Sequence, residues 1–172
     1  MPEATVEMTC DRMEPGRDRP ETPDRLVLGS NLSGMERLPA WVDAMAAKFG
    51  LSERTKFAVH LCLEEVVSNV IRHGYGSKDG QSLTVECEPR DGYFIFTVDD
   101  DAAPFNPLEF PALPAIGQES GQQGPLGGQG LRLLRGFADT LEYEPKASGN
   151  RLRIGFSNPA SQAKNIAPEA RT

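Results

Sequence analysis

The chain has only two histidines, three cysteines and one tryptophan in 172 residues. Cys10, Cys62 and Cys87 are odd in number and far apart, and no CxxC pair occurs. With His60 and His73 as the only imidazoles, a structural zinc site has no ligand spacing to rest on. The pattern suits reduced thiols in a cytoplasm rather than a disulfide framework. No apolar run approaches the roughly 18 residues of a membrane span, and the first residues carry no signal-peptide core. Positive charge is also scarce: 18 Lys and Arg face 25 Asp and Glu, a formal net charge of −7. That balance argues against direct nucleic-acid binding and against anionic membrane surfaces. From Ala102 to Gly130 there is no lysine or arginine at all.

The remaining composition, 38% hydrophobic and 25% charged, is that of an ordinary globular domain. A chain of this length buries roughly two-thirds of its unfolded surface. Residues 1–24 mix acids, arginines and prolines without apolar periodicity and read as a disordered leader. Residues 158–172 read as a flexible tail. Between them, 25–157 form one expected domain.

Within it, Arg25 to Gly29 suits a short strand. Met35, Leu38, Trp41, Val42, Met45 and Phe49 recur at helical spacing, with Pro39 in the first turn. Ser52 is positioned to cap a long second helix that ends near His73-Gly74. Leu83 to Cys87 and Tyr93 to Val98 flank Arg90-Asp91-Gly92, a hairpin signal. A helix from Gly130 to about Ala138 and strands at Thr140 to Glu144 and Arg151 to Phe156 complete the pattern. Interspersed strands and helices with two hairpins predict an α+β fold: a two-layer sandwich, its mixed and mostly antiparallel sheet covered by helices on one face. The Pro/Gly/Gln-rich stretch at about 102–129 has no periodicity. A loop of that length inside a compact domain is usually functional or disordered.

Three features carry candidate chemistry. On the second helix, Glu65, Asn69 and His73 stand four apart and share one face. Val59, Leu63, Val66, Val67, Val70 and Ile71 fill the adjoining arc. The polar row therefore lies at the edge of the buried side, where an Asn oxygen suits Mg²⁺ and a carboxylate can take a proton. Taken alone, such a row is more often an incidental feature of a solvated face. The second feature is Asp99-Asp100-Asp101 after a strand. A carboxylate there can accept from an exocyclic amine, three aspartates can ligate a metal, and a solvated turn is the plain alternative. The third is Gly127-Gly128-Gln129-Gly130-Leu131 leading into an apolar helix, where glycines let phosphates approach the backbone and the free N–H groups of a helix start. No Gly-Lys-Ser/Thr follows, so it is not a P-loop, and a lone glycine cluster is more often only a flexible loop.

Taken together and in this order, the features resemble a known family. Glu65-x-x-x-Asn69-x-x-x-His73-Gly74-Tyr75 is similar to the N box of the Bergerat ATPases, the superfamily of gyrase, histidine kinases and MutL. Asp99-Asp100-Asp101-Ala102-Ala103-Pro104-Phe105-Asn106-Pro107 is similar to its G1 box, Gly127 to Leu131 to its G2 box, and Gly149-Asn150-Arg151-Leu152 to its closing strand. Glu65 with His73-Gly74-Tyr75 resembles the anti-sigma-factor serine/threonine kinase branch.

The resemblance implies ATP and Mg²⁺ as cofactors, with Asn69 as metal ligand and Glu65 as catalytic base. Asp100 would read the adenine amine. Gly127, Gly128, Gly130 and Leu131 would shape the phosphate end under an ATP lid, and His73, Ala102, Phe105 and Asn150 complete the implied nucleotide set. The implied partners are a small anti-anti-sigma protein of the STAS type, phosphorylated on serine or threonine, and a sigma factor or other regulated target. A second copy of the chain, as a homodimer, is a further expectation.

Two departures stand out. Ala102 occupies a position where the family has glycine, which would tighten the turn, and the lid carries no basic residue. Triphosphate charge would then be met by Mg²⁺, backbone N–H groups and Arg72, Arg132 or Arg135. Besides the kinase reading, a non-catalytic ATP-dependent partner switch and the catalytic domain of a sensor histidine kinase stay open. Neither histidine lies on an upstream dimerisation helix, which counts against the last.

Overall fold

The computed structural model describes residues 24–76, 78–109 and 130–158, with Leu32 and Leu131 described in backbone only. Five segments of alternating apolar and polar residues form strands: β1 (Arg25–Gly29), β2 (Ser82–Arg90), β3 (Tyr93–Asp100), β4 (Thr140–Pro145) and β5 (Asn150–Ser157). They build one sheet in the order β1-β2-β3-β5-β4. Every pairing is antiparallel, where a mixed sheet was expected. The reason is topological. β4 runs in the same direction as β3, but the β4–β5 hairpin folds back so that β5 separates the two.

The β2–β3 hairpin closes through Asp91 and Gly92, whose φ values of 51° and 83° are both left-handed. That is the type I′ geometry whose twist matches the flanking strands. Among the described residues three α-helices accompany the sheet: α1 (Arg37–Phe49), α2 (Glu53–Asn69) and α3 (Gly130–Phe137). A 3-10 turn, Leu32–Glu36, leads into α1, and Pro39 sits in its first turn as expected. Gly50, at φ 68°, ends α1 in the left-handed conformation that glycine adopts without strain. The Ser52 Oγ then accepts the Thr55 N–H at 3.1 Å and caps α2, a contribution of about 1 kcal/mol.

All three helices are on one side of the sheet, giving the two-layer α+β sandwich that the pattern implied. Leu38, Val42 and Met45 of α1, Val59, Leu63 and Val67 of α2, and Ile71 just past its end are buried against Leu28, Val85, Phe96 and Ile154. Phe96 anchors this layer, meeting Trp41 edge-on at 6.3 Å and Phe156 at 5.9 Å. Full burial of each such side chain is worth roughly 1.5–3 kcal/mol. The opposite face is ionic: Arg151 grips Asp99 with two bonds of 2.8 Å, Arg153 reaches Glu144 at 2.8 Å and Arg25 reaches Glu86 at 2.7 Å. Cys62 and Cys87 are free and buried in the core, and burial pushes both thiols up to about 12. Neither is a thiolate near neutral pH. Among the described residues, no helix is long and apolar enough to cross a membrane.

Candidate active site

Helix α2 presents the polar row at the rim of the buried layer. Val66 and Val67 turn into the core, while Glu65 and Asn69 are half-buried and His73 is exposed. The Asn69 Nδ2 donates to the Glu65 Oε1 at 2.8 Å. The amide nitrogen is thereby committed, which leaves the Asn69 Oδ1 as the atom free to meet a ligand.

Past Asn69 the helix widens into a π turn, Val70–Gly74, closed by the Tyr75 N–H donating to the Val70 carbonyl at 2.8 Å. Such turns are rare and frequent at functional sites. This one drives Gly74 and Tyr75 against the end of β3. The Tyr75 hydroxyl donates to the Ser82 carbonyl at 2.8 Å and accepts the Asp101 N–H at 3.4 Å. A Cβ on Gly74 would stand 2.9 Å from the Ala102 methyl. The missing side chain of Gly74 is thus what makes room for Ala102. Ala102 needs no left-handed backbone there, since among the described non-glycine residues only Asp91 has positive φ.

The three aspartates separate. Asp99 and Asp100 are the last residues of β3, not a solvated turn, and successive strand residues face opposite sides. Asp99 belongs to the ionic face with Arg151. Among the described residues, no group of three His, Cys, Asp or Glu side chains could hold a metal, so the three-aspartate ligand set is not formed. Asp100 points the other way and is only 6% exposed. Its Oδ1 accepts the Ala102 N–H at 2.9 Å and the Asn150 Nδ2 at 2.8 Å. Burial pushes its pKa up, and these two hydrogen bonds offset part of that rise. Both bonds fall on Oδ1, which leaves Oδ2 for a ligand.

Asn150 is the hub of this end. Its Nδ2 also donates to the Ala103 carbonyl at 3.1 Å, and its Oδ1 accepts the Phe105 N–H at 2.9 Å and the Tyr143 hydroxyl at 2.8 Å. All its polar capacity is spent inside the protein, so it holds Asp100 and the loop after it in place. Tyr143 was not among the expected site residues. Its signal is the strand alternation of β4, which sets Tyr143 opposite Leu152 on the inner face.

These groups surround a cavity of about 230 Å³. Val66, Val70, Val98, Leu134 and Leu152 make its walls apolar, and Asn69, His73, Asp100, Ala102, Phe105 and Asn150 line it too. Six expected site residues are therefore brought together. Small-molecule sites typically measure roughly 300–1,000 Å³, so this one suits part of a nucleotide, a flat base between apolar walls with Asp100 at its end. Glu65 is just outside the lining and joins it through Asn69. Gly130 and Leu131 open α3, with Gly130 against Glu65. Gly127, Gly128 and most of the expected lid lie outside the described residues. Of the basic residues named for the phosphates, Arg72 and Arg132 are exposed, and Arg135 donates to the Leu108 carbonyl at 3.1 Å.

A family model described as the histidine kinase-like ATPase domain matches residues 30–156. The chain belongs to this family. The match spans all four boxes named above, and ATP binding goes with the family. The serine/threonine-protein kinase BtrW of Bordetella bronchiseptica is 27% identical to this ATPase domain over 116 residues, 66% of this chain and 79% of that protein. A solved histidine kinase domain, from the blue-light activated histidine kinase EL346 of Erythrobacter litoralis, is 17% identical with a TM-score of 0.46. That match covers 80% of this chain and 64% of the solved one, a little under two thirds of its length.

Proposed function

We propose that this ATPase domain is a Mg-ATP-dependent serine/threonine protein kinase that works as a partner-switching regulator. Its substrate would be a small anti-anti-sigma protein of the STAS type, and its other partner a sigma factor or a comparable target. The observation that carries this reading is the Glu65–Asn69 hydrogen bond at the rim of the Asp100 cavity. It sets a carboxylate and an uncommitted amide oxygen side by side, next to the place where a nucleotide's phosphates would emerge. The relative named as a serine/threonine-protein kinase supports the same class of acceptor.

The residues fit Mg²⁺ of a particular kind. One neutral oxygen, the Asn69 Oδ1, suits an ion that arrives on the triphosphate and keeps phosphate and water in its other positions. Bound there, the ion would offset phosphate charge that the lid, without lysine or arginine, does not. In the transfer, the acceptor hydroxyl oxygen forms the new bond to the γ-phosphorus as the bond to the β–γ bridging oxygen breaks. Its proton passes to the Glu65 carboxylate, and ADP leaves. Positioning and charge stabilisation dominate such a step.

Asn69→Ala is expected to weaken ATP binding in the presence of Mg²⁺ roughly 10–100-fold, the worth of one contact to a charged group. Binding without metal and the thermal midpoint should hardly move, because Asn69 is on the rim rather than in the core. Titration calorimetry with and without Mg²⁺ checks this, and an unchanged metal dependence would remove Asn69 from the site. Asp100, with its open Oδ2, is expected to favour ATP over GTP by at least roughly tenfold. Guanine presents a carbonyl where adenine has an amine, leaving an unsatisfied buried carboxylate at a cost of roughly 1–3 kcal/mol. Competition between the two nucleotides measures it, and equal affinities would deny Asp100 this role.

A second reading, the non-catalytic ATP-dependent switch, is favoured by the absence of any basic residue from Ala102 to Gly130 and by the engagement of Arg135 with Leu108. Transfer of labelled phosphate from ATP to a verified partner decides between the two.

A further inference from the structure

Gly130 is the first residue of α3, and its Cα rests on the side chain of Glu65. The three atoms that a methyl on Gly130 would meet first are the Oε1, Cδ and Cγ of Glu65, all in overlap. At Gly149, by contrast, glycine is demanded by the main chain. Gly149, at φ 99°, would drive a methyl into the backbone of Asp100 and Asp101. At Gly130 the backbone is helical, and the three atoms a methyl would meet first all belong to the Glu65 side chain. Alanine there is the better helix former, and the fold can take it by swinging Glu65 aside. What cannot survive is the present position of the carboxylate.

That position is bracketed from two sides. The Asn69 Nδ2 holds the Glu65 Oε1 at 2.8 Å, and the first turn of α3 closes the other side. α3 itself is fixed. Leu134 is 1% exposed, and Phe137 meets Phe57 edge-on at 6.1 Å, eight residues before Glu65 on α2. The two helices therefore run antiparallel, with Gly130 held at the level of Glu65. We infer that Gly130 is a positioning residue for Glu65: its bare Cα is the seat that keeps the carboxylate beside Asn69. This rests on the reading of Glu65 as the base. It gives Gly130 a part separate from any contact with phosphate.

The test uses the full chain carrying Gly130→Ala, with three measurements. The side-chain amide resonance of Asn69, assigned by its loss in Asn69→Ala, should move toward its position in Glu65→Ala. ATP affinity should stay within about threefold while transfer to the partner falls roughly 10²-fold, the scale of a misplaced reacting group. Glu65→Asp, one methylene shorter, should recover part of the transfer when combined with Gly130→Ala. An unmoved Asn69 resonance overturns the seat, as does a loss of ATP affinity as large as the loss of transfer, or a double variant no faster than Gly130→Ala. Failure of Gly130→Ala to fold overturns it as well, because the seat requires that the Glu65 side chain can swing clear. If the wild type transfers no phosphate to any partner, the kinase reading fails, and the Asn69 resonance still decides the seat.

Discussion

Glu65→Gln is expected to slow phosphate transfer to the partner's serine or threonine roughly 10²–10⁴-fold, the usual worth of a positioned general base. Glutamine keeps the length and shape of the side chain, and its amide oxygen can still accept the Asn69 Nδ2 that now holds Glu65 at 2.8 Å. The rim therefore keeps its geometry, and ATP and partner binding should stay close to wild type. Only the capacity to take the hydroxyl proton is removed. Glu64 provides the control: it is exposed and stands about 100° further round α2, away from Asn69. Glu64→Gln should leave transfer unchanged. Single-turnover phosphorylation of a verified partner, with binding measured in parallel, tests both variants. Equal rates for wild type and Glu65→Gln would show that the carboxylate is not the base. An inactive wild type would leave the domain as a nucleotide-dependent switch.

What was legible in the sequence is what local periodicity encodes. The polar row of α2 follows from a spacing of four residues, the cap from Ser52, and the β2–β3 turn from Asp91-Gly92. Contacts between distant residues were not legible. Apart from the family resemblance, which singles out Asp100, the three aspartates Asp99, Asp100 and Asp101 look equivalent in sequence, yet pairing with β5 extends β3 through Asp100 and sets Arg151 and Asn150 opposite its last two residues. Strand alternation then sends Asp99 to the ionic face and Asp100 to the cavity. Likewise, the antiparallel sheet depends on where β5 inserts, which no single strand records. The seat of Glu65 joins residues 65 apart in the chain, and nothing in Gly130 as a glycine distinguishes a phosphate loop from a rest for a carboxylate.

Asn150 shows the same non-local dependence, since its partners Asp100, Ala103 and Phe105 come from one segment and Tyr143 from another. Asn150→Asp is therefore a sharper probe than its size suggests. The oxygen that accepts from Phe105 and Tyr143 survives the change. The nitrogen that donates to the Asp100 Oδ1 at 2.8 Å becomes a second carboxylate oxygen in a buried site. Two carboxylates so placed cannot both ionise, and the pair retains a proton well above the ordinary carboxylate range. Burial already raises Asp100 in the wild type, and the Asn150 donor is one of the groups that hold that rise in check. A raised carboxyl pKa means the folded state keeps a proton that the unfolded chain has lost, so folding stability falls as pH rises through that window. The stability deficit of Asn150→Asp against wild type should accordingly be small near about pH 5 and grow by roughly 1–3 kcal/mol by about pH 8. ATP affinity near neutral pH should drop roughly 10–100-fold, because a shared proton competes with the adenine amine for Asp100. Denaturant unfolding at the two pH values and titration calorimetry with ATP measure these effects. A deficit that does not change with pH, together with unaltered ATP affinity, would mean that Asn150 does not govern the charge on Asp100.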